Sequence, residues 1–320
     1  MNDKKRIFGL IGYPVDHSLS PVMHNAGFRA LGINAEYRLF EVSEERLKDF
    51  LIGEGVFSDI EGNEFNAQDI EGFNITIPYK VRAKEILEKL VDTKKMLKTI
   101  PQEINANKYG AVNTVRRKDG NIEYCNTDGK GFWMSLWNDL EFDSRNKTVI
   151  VFGCGGAGRT IGSALSMYKN NHVNKLYMYD LNPTAVDMVK SHFDYLANYE
   201  NDDKDIIKRI EFVDKKDIPS VLNGCDLLVN ASSLGMKEND SSVVDKQFLH
   251  KGLSVYDIIY HRKTQLLKDA ESVGCKWVDG RGMLLYQGIV AFIWWLGPKD
   301  NTHAEPMKQA LYDVLDKGNK

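Results

Sequence analysis

The sequence predicts an α/β fold of two domains, the second of which is a doubly wound parallel sheet. The chain has 320 residues, a length more typical of two domains than of one. From residue 128 onward, short apolar strands alternate with helical patterns, as they do in parallel sheets with helices on both faces. The first of these strands runs into a glycine-rich turn that opens a helix.

The N-terminal part also mixes strands and helices. The apolar stretch 7–12 predicts a buried strand, and the small and apolar residues of 23–31 share one helical face up to Gly32. Further patterns predict strands at 35–42, 72–78, 110–115 and 122–127, and a helix at 44–52. The polar, glycine-rich stretch 53–71 is interpreted as a loop insertion, and Pro78 suits the first turn of the next helix.

The second half repeats the order of strand and helix. Its strand patterns lie at 148–153, 175–180, 209–213, 226–232, 253–259 and 275–279. Helical patterns begin at 157 and at Pro183, and two more follow the sixth strand, at 281–296 and 303–317. Because the α/β pattern of the N-terminal part is incomplete, we expect these last two helices to return to it. The predicted domains are 1–127 with 280–320, and 128–279.

Composition and charge describe an ordinary globular chain. Hydrophobic residues make up 42% and charged residues 27%, and the formal net charge is −3 without a long run of one sign. This balance indicates neither a nucleic acid nor an anionic membrane as partner. The N-terminus lacks a signal-peptide pattern, and the most apolar stretch, 288–297, is about half a membrane span. The four cysteines show no CxxC or metal-ligand spacing, so we expect free thiols, no metal and a cytoplasmic location.

The turn at 153–158 gives the strongest local signal. Gly153, Gly155 and Gly158 form the pattern G-x-G-x-x-G between a strand and a helix. The first glycine makes the tight turn, the second lets the backbone approach a pyrophosphate, and the third lets helix and strand pack closely. The N-terminus of the helix then offers its N–H groups to the phosphates. The turn predicts a Rossmann-type dinucleotide-binding domain; the alternative is a glycine-rich turn without a cofactor.

Asp180 ends the second strand of this domain, 22 residues after Gly158. A carboxylate at that distance accepts hydrogen bonds from the adenosine ribose and repels a 2′-phosphate. Residues 181–189 contain no Arg or Lys that could bind such a phosphate. We therefore expect NAD to be favoured over NADP. A helix-capping role for Asp180 is the alternative, which is weakened because Asn182 before Pro183 is already a good N-cap.

Polar residues near strand ends of the N-terminal part indicate a substrate site. Asn74 and Thr76 share one strand face because side chains alternate, and Asn113 lies in a later strand. Lys80 begins a predicted helix, where the helix dipole disfavours a positive charge. Lys80 is therefore either an acid–base residue or a solvated surface lysine. Asp128 lies at the predicted domain boundary and is either a cleft residue or the N-cap of the helix from 129. A dehydrogenase needs such a proton donor and acceptor beside the alcohol carbon.

Eight motifs resemble, in the same order, those of the shikimate dehydrogenase family, and most of all its quinate/shikimate dehydrogenase branch. They span about residues 7–297 and are GYPVDHSLSPVMHN, FNITIPYK, GAVNT, NTDGKG, GCGGAG, NASSLGM, YDIIY and DGRGMLLYQG. The resemblance implies a substrate-binding catalytic domain at 1–127 and 280–320, with a Rossmann domain at 128–279 inserted between its parts. It implies a cyclic hydroxy acid as substrate, and a homodimer is one option for the oligomeric state.

The resemblance also implies a role for each matching residue. The catalytic acid–base pair would be Lys80 and Asp128. The substrate-binding residues would be Ser18 and Ser20 at the carboxylate, Asn74, Thr76, Asn113 and Gln287 at the ring hydroxyls, and Tyr260 nearby. The cofactor-binding residues would be Gly153, Cys154, Gly155, Gly156, Ala157 and Gly158 at the pyrophosphate, Asp180 at the ribose, and Ser232, Ser233, Ile258 and Gly280 along the cleft.

The two serines of the segment HSLSP, residues 17–21, need not share one role. Ser20 can cap the helix that Pro21 opens. Ser18 cannot cap the same helix in the usual way, but in an extended segment both hydroxyls lie on one side and can hold an anion together. Capping therefore accounts for one serine, and carboxylate binding accounts for both.

Four segments depart from the family pattern, two of which are the unusual stretches 53–71 and 96–110. Many NADP-using members carry Asn-Arg-Thr after the second Rossmann strand, whereas this chain has Asp180, Leu181 and Asn182, which supports the expectation of NAD. After YDIIY the family often has Asn-Pro, whereas this chain has His261 and Arg262, in a loop that borders the nicotinamide.

The predicted function is the reversible NAD(P)-dependent oxidation of shikimate to 3-dehydroshikimate, of quinate to 3-dehydroquinate, or of both. In this hypothesis Lys80 takes the hydroxyl proton, and Asp128 hydrogen-bonds that hydroxyl and orients Lys80. The alternatives are a dehydrogenase of another cyclic hydroxy acid and a non-catalytic, cofactor-binding regulatory protein. The presence of both Lys80 and Asp128 argues against the second alternative, because a binding protein needs neither.

Overall fold

The computed structural model describes residues 4–92, 96, 100–167, 172–199, 205–297 and 301–318. The chain divides into two compact units, Met1–Thr127 with Gln287–Lys320, and Asp128–Tyr286. Both are α/β units, so the predicted fold class is confirmed. Residues 280–286, which the sequence assigns to the first domain, group with the second unit.

The observed elements follow the predicted order. The strands are β1 (Arg6–Gly12), β2 (Ala35–Glu41), β3 (Val56–Ser58), β4 (Glu64–Asn66), β5 (Ile70–Ile75), β6 (Thr114–Lys118), β7 (Asn121–Cys125), β8 (Thr148–Phe152), β9 (Lys175–Tyr179), β10 (Ile210–Phe212), β11 (Leu227–Asn230), β12 (Ser254–Asp257) and β13 (Lys276–Val278). The α-helices of the described residues are α1 (Ser20–Ala30), α2 (Glu44–Ile52), α3 (Lys80–Leu90), α4 (Ala106–Tyr109), α5 (Asp128–Asn138), α6 (Gly156–Met167), α7 (Pro183–Tyr199), α8 (Ile206–Arg209), α9 (Ile218–Leu222), α10 (Gln265–Val273), α11 (Arg281–Leu296) and α12 (Ala304–Gly318). None of the described helices is both long enough and apolar enough to cross a membrane.

The first unit is built on a mixed sheet with the order β2-β1-β5-β6-β7. β1 pairs in parallel with β2 and β5, and β6 pairs antiparallel with β5 and β7. Aromatic rings fill its core: Phe28 packs 5.2 Å from Phe8 and 5.2 Å from Phe292 of α11, measured between ring centroids. α1 also packs on α12, and a Cβ at Gly27 of α1 would lie 3.0 Å from Met307 of α12. The last two helices therefore complete this core, and their burial contributes to its stability.

The stretch 53–71, which the sequence predicts to be a loop insertion, contains the antiparallel hairpin β3–β4, so this prediction is wrong. Phe57 lies opposite Phe65 in this pair. Phe57 also packs 4.8 Å from Phe50 of α2, beneath the guanidinium of Arg46 at 4.1 Å from its ring centroid. The strands are only three residues long, and aromatic contacts of Phe57 with Phe50 and of Phe65 with Phe40 hold them against the rest of the unit.

Two helix starts also differ from the prediction. Ser20 is the first residue of α1 and not its cap, because the N-cap position belongs to Leu19 and no side chain caps it. Instead, the Ser18 hydroxyl accepts a hydrogen bond from the Ser20 N–H at 3.3 Å, so the serine expected not to cap is the one that binds the helix end. Pro78 precedes Tyr79, the N-cap of α3, and does not lie in the first turn.

The second unit is a parallel sheet with the order β10-β9-β8-β11-β12-β13. Counted from β8, this is the 3-2-1-4-5-6 order of doubly wound dinucleotide-binding folds. Strand order reverses between β8 and β11, and ligands bind such sheets in the crevice outside the carboxyl ends at that point. The loops that follow β8, β9, β11 and β12 therefore define the candidate cofactor site of this unit.

Candidate functional site

The glycine-rich loop after β8 is shaped by close backbone approaches. Gly153 has a φ of +105°, and a Cβ there would lie 2.7 Å from the Ala231 carbonyl oxygen. A Cβ at Gly158 would lie 1.9 Å from the Gly153 carbonyl oxygen. At exposed Gly155, by contrast, a Cβ would meet nothing within 4 Å. Two glycines are thus required by packing, and the third leaves the space that a pyrophosphate would occupy, so the loop fits a dinucleotide.

Asp180 ties this loop to the end of β9. Its Oδ2 accepts a hydrogen bond from the Cys154 N–H at 2.7 Å, and its Oδ1 accepts one from the Asn182 N–H at 2.8 Å. Burial, and then the nearby Asp180 charge, raise the pKa of the Cys154 thiol to about 12, while the positive charges of Arg159 and Lys190 oppose that rise. The Asp180 carboxylate therefore binds two backbone segments, and the positive charges of Arg159 and Lys190 act on the Cys154 thiol of the same loop.

Two further loops are joined by Asn230 and Asp257, which end β11 and β12. The Asn230 amide donates to Asp257 Oδ1 at 3.1 Å, and its Oδ1 accepts from the N–H (3.1 Å) and hydroxyl (2.7 Å) of Ser232. Asp257 also accepts from the Ile259 N–H at 3.1 Å and from the Thr264 hydroxyl at 2.7 Å. The loops that carry the predicted residues Ser232–Ser233 and Ile258–Tyr260 are therefore held together by buried side chains that the sequence analysis missed.

Burial dominates the electrostatics of this junction. It raises the pKa of Asp257 to about 6, against the opposing hydrogen bonds from Thr264, Ile259 and Asn230. The predicted residue Gly280 belongs to the same junction, since a Cβ there would lie 1.9 Å from the Ile258 carbonyl oxygen.

His261 and Arg262, which depart from the family pattern, bind the loop after β11. The His261 Nε2 lies 3.1 Å from the Met236 carbonyl oxygen, and the Arg262 guanidinium donates to the Glu238 carbonyl oxygen at 3.2 Å. The substituted pair therefore reinforces the junction that Asn230 and Asp257 form.

The first unit contains a chain of hydrogen bonds that we call the inner polar network. Its members are all buried and are Tyr37, Asn74, Thr114, Asn113, Thr127 and Gln287. Three of them, Asn74, Asn113 and Gln287, are predicted substrate-binding residues, so the fold brings together positions that are up to 213 residues apart (287 − 74).

The contacts of the network run from strand to strand and on to α11. Asn74 of β5 lies opposite Thr114 of β6 and donates to its hydroxyl at 2.9 Å. Asn113 accepts from the Thr127 N–H at 2.7 Å and donates to the Gln287 Oε1 at 3.4 Å. Both N–H groups of the Asn74 amide are used, because the second donates to the Asn113 carbonyl at 3.2 Å. Asn74 therefore has only an acceptor to offer a ligand.

The predicted carboxylate serines lie side by side. The Ser18 hydroxyl donates to the Ser20 hydroxyl at 3.2 Å, and Ser20 is buried while Ser18 is half-buried. Burial raises the pKa of Tyr37 well above its usual value, although hydrogen bonds from the Ser20 side chain and from the Asn74 backbone act in the opposite direction. Ser20 thus faces the same tyrosine hydroxyl as Asn74.

The remaining predicted residues lie next to the ends of strands or at the starts of helices. Lys80 is the first residue of α3, and its carbonyl accepts from the Val112 N–H at 2.9 Å, next to Asn113. Thr76 is half-buried just after β5. Asp128 is buried at the first residue of α5, and burial raises the pKa of half-buried Tyr260. Lys80 and Asp128 belong to different units, so their pairing stays a prediction.

Comparisons with known proteins agree with this architecture. A sequence model described as the shikimate dehydrogenase substrate binding domain matches residues 10–115. Over 312 residues the chain is 33% identical to a shikimate dehydrogenase (NADP(+)) of Methanopyrus kandleri, covering 97% of this chain and 96% of the relative. It is also 33% identical over 320 residues to one of Methanocaldococcus jannaschii, covering 99% of this chain and all of the relative.

Solved structures show the same likeness. The crystal structure of shikimate dehydrogenase from Aquifex aeolicus superposes with a TM-score of 0.74 at 31% identity, covering 96% of this chain and 98% of that one. A shikimate dehydrogenase in complex with NADP⁺ gives 0.76 at 31% identity, with coverages of 98% and 97%. Quinate dehydrogenase from Corynebacterium glutamicum in complex with NAD gives 0.74 at 25% identity, with coverages of 97% and 99%.

The two sheets, the glycine-rich loop and these relatives define an oxidoreductase that acts on a CH–OH group. The chain belongs to the shikimate dehydrogenase family.

The expectation that NAD is favoured is wrong, because the relatives with the identities given above are named NADP(+)-dependent. The physical reason lies in the surroundings of Asp180. Both of its oxygens already accept backbone N–H groups, so the carboxylate is not simply a bare negative charge facing the ribose. Residues 181–189 contain no Arg or Lys, but Lys190 follows directly and Arg159 lies in the first turns of α6, and both charges act on Cys154 beside Asp180.

Proposed function

We propose that the protein catalyses the reversible NADP-dependent oxidation of shikimate to 3-dehydroshikimate. The observation that carries this proposal is the inner polar network, which collects buried amides and hydroxyls suited to a polyhydroxylated ring in a chain whose relatives are shikimate dehydrogenases.

In this proposal the substrate is held by groups of the first unit. Ser18 and Ser20, whose hydroxyl oxygens are 3.2 Å apart, bind the carboxylate. Asn74, Thr76, Asn113 and Gln287 bind ring hydroxyls, and the amide N–H groups of Asn74 and Asn113 also bind groups of the protein. Tyr260 is placed near the substrate because of the resemblance to the family.

The cofactor-binding residues are proposed in the second unit. The loop Gly153–Gly158 holds the pyrophosphate, because Gly155 leaves room for it and α6 begins at Gly156. Asp180 fixes the loop beside the ribose. The loops with Ser232, Ser233, Ile258 and Gly280 line the nicotinamide end, held by Asn230 and Asp257.

The proposed chemistry needs one proton transfer by this chain. NADP, when bound, supplies the acceptor for the hydride that leaves the carbinol carbon. Lys80 accepts the hydroxyl proton as the ketone forms and returns it in the reverse reaction. Asp128 hydrogen-bonds the hydroxyl and keeps Lys80 oriented. Among the described residues no three His, Cys, Asp or Glu side chains are grouped to hold a metal ion, and the proposed steps need none.

Steady-state kinetics of the purified protein test this function. We would measure the absorbance of the reduced cofactor with shikimate and with quinate, each with NADP and with NAD. We expect turnover of shikimate with NADP at the highest kcat/KM. Turnover of neither acid with either cofactor, in a protein that binds NADP in calorimetry, would contradict the proposal.

Quinate is the second candidate substrate, because a quinate dehydrogenase is among the structural relatives. It has one more ring hydroxyl than shikimate, so the ratio of the two kcat/KM values decides between them. Light scattering of the same preparation tests the option of a homodimer.

A further inference from the structure

The loop after β11 begins against the glycine-rich loop and continues to the protein surface. The Ala231 N–H donates to the Phe152 carbonyl at 2.7 Å, and a Cβ at Gly153 would lie 2.7 Å from the Ala231 carbonyl oxygen. We call its continuation, residues 235–240, the distal loop. Residues 237–239 are exposed, so the loop after β11 extends from the proposed pyrophosphate site to the solvent.

The distal loop is closed on itself by its own residues. Asp240 Oδ2 accepts hydrogen bonds from the Gly235 N–H at 2.9 Å and from the Lys237 N–H at 3.0 Å. The Asp240 N–H donates in turn to the Lys237 carbonyl at 3.2 Å. Gly235 has a φ of +109°, and a Cβ there would lie 3.1 Å from Thr264 Cγ2. These contacts shape the turn, but its hydrogen bonds do not attach residues 236–240 to the rest of the unit.

Two consecutive side chains make that attachment. His261 Nε2 lies 3.1 Å from the Met236 carbonyl oxygen, and the Arg262 guanidinium donates to the Glu238 carbonyl oxygen at 3.2 Å. A carbonyl can only accept, so His261 Nε2 carries the proton of the first bond. Among the residues that the structure describes, no other hydrogen bond reaches residues 236–240 from outside the loop after β11. Both acceptors are backbone atoms, so the two bonds fix the path of the chain itself.

The two donors lie on a segment that is itself held in place. Asp257 at the end of β12 accepts from the Ile259 N–H at 3.1 Å and from the Thr264 hydroxyl at 2.7 Å. His261 and Arg262 lie between these two anchored residues. Because Asp257 and Thr264 are buried, the donors extend from a fixed base towards an exposed loop.

We propose that His261 and Arg262 are positioning residues that hold the distal loop beside the nicotinamide half of the cofactor. This inference rests on the proposed function, in which the loops that carry Ser232, Ser233 and Ile258 line the nicotinamide end. Neither side chain touches the reacting atoms. They bind the loop after β11 to the loop after β12, and these two strands are neighbours in the sheet. The spacing of the two loops, and with it the fit of the nicotinamide ring, depends on the pair.

The test compares the affinity for NADP with the affinity for its adenosine half. His261→Phe removes one donor and keeps a ring beside Tyr260, whose ring centroid is 5.9 Å away, and Arg262→Met keeps the aliphatic stem. In calorimetry the Kd for NADP should rise about threefold in each single variant and about tenfold in the double variant, as for one and two hydrogen bonds. The Kd for 2′,5′-ADP, which lacks the nicotinamide, should be unchanged.

The adjacent residue provides a matched control. Lys263 Nζ pairs with Glu271 at 2.6 Å and lies 4.4 Å from the ring centroid of Trp277, away from the distal loop. Lys263→Met should therefore leave the Kd for NADP unchanged. The conservative variants His261→Gln and Arg262→Lys keep an N–H donor and should restore most of the affinity. An equal rise of Kd in Lys263→Met and the double variant would overturn the proposal.

Limited trypsin digestion without cofactor tests the attachment directly. Exposed Lys237 lies between the acceptors Met236 and Glu238, so cleavage after it measures release of the distal loop. At a temperature well below thermal unfolding, we expect mass spectrometry to show faster cleavage after Lys237 in the double variant than in the unmodified protein or in Lys263→Met. Equal cleavage rates in all three proteins would overturn the proposed attachment.

The outcomes separate this inference from the proposed function. An unchanged Kd for NADP in the double variant, or a parallel loss of affinity for NADP and 2′,5′-ADP, would overturn the inference. Turnover of shikimate by the unmodified protein would still support the function in that case. An unmodified protein that neither binds NADP nor turns over shikimate would reject the function and this inference together.

Discussion

The two units hold their sites in place by different kinds of hydrogen bond. In the first unit, side chains bond mainly to side chains, from Tyr37 through Asn74 and Thr114 to Gln287. In the second unit, side chains at strand ends bond to one another and also to the backbone N–H groups of the loops, as Asp180 does to the Cys154 N–H. A ring with several hydroxyls is recognised by the direction of amide groups, whereas a pyrophosphate is recognised by backbone shape.

Each unit also contains a buried group that should make stability depend on pH, and the two dependences should be opposite in direction. Burial lowers the pKa of His24 in the first unit to about 3 and raises that of Asp257 in the second to about 6. Each group is therefore neutral in the folded state over much of the range in which it would be charged when unfolded. Substitutions can test each half of this comparison separately.

The largest expected effect is on the rate of the chemical step. Lys80→Ala should reduce kcat by about 10²- to 10⁴-fold, the usual contribution of a general acid–base group. The affinity for NADP, measured by calorimetry, should be unchanged, because the cofactor loops lie in the other unit. Lys89→Ala, an exposed lysine in the last turn of the same helix, is the control and should remain fully active. Equal losses of turnover and NADP binding in Lys80→Ala would argue against the role.

Two substitutions in the glycine-rich loop should affect the stability of the protein and the binding of NADP separately. Gly158→Ala forces a Cβ to within 1.9 Å of the Gly153 carbonyl oxygen and should destabilise the protein by about 3 kcal/mol. Gly155→Ala places its Cβ in open space, so the melting temperature should stay the same while the KM for NADP rises about tenfold. Unaltered NADP kinetics in Gly155→Ala would mean that the pyrophosphate binds elsewhere.

Asp257 should make the protein less stable as the pH rises. Its folded pKa, about 6, is above the usual 3.8, so the folded state binds more protons and stability is lost as the pH rises through this window. Between pH 4 and 7 the wild-type chain should lose about 2.5 kcal/mol relative to Asp257→Asn, which cannot titrate. Urea unfolding at several pH values measures this difference, and parallel curves for the two proteins would contradict it.

His24 should have the opposite effect. Neither ring nitrogen has a hydrogen-bond partner among the described residues, and burial lowers its pKa from 6.5 to about 3. The unfolded chain therefore binds the extra proton, and stability falls as the pH drops below about 6.5. From pH 8 to 5 the wild-type chain should lose about 2 kcal/mol relative to His24→Phe, which retains the stack on Tyr37. The same slope in both proteins would show that His24 is not the group responsible.

Much of the fold was readable from local patterns. The α2 helix, the β1 strand and the parallel strands from β8 onward follow periodicities of apolar residues within a few positions of their observed bounds. The glycines at 153, 155 and 158 were recognisable because a strand precedes them and a helix follows. The hairpin β3–β4 was missed because its three-residue strands depend on the contact of Phe57 with Phe50 rather than on a pattern of their own.

The candidate site was only partly readable. Asn230 and Asp257 could have been found by the signal that drew attention to Asp180, a polar residue at the end of an apolar strand. No such signal marked Tyr37, which lies inside a strand and reads as an ordinary core aromatic.

The sequence by itself indicated most of the elements, the glycine-rich loop and the family, because these depend on residues that are close together in the chain. The tertiary structure decided which polar side chains of the candidate site meet and which backbone groups Asp180 binds. Buried polar groups must find partners, and those partners are remote in sequence: Asn74 meets Tyr37, and Asn113 meets Gln287, only after the sheet and α11 have assembled. That assembly determines which atoms donate hydrogen bonds and which accept them. It therefore also determines which groups of the candidate site can bind a substrate.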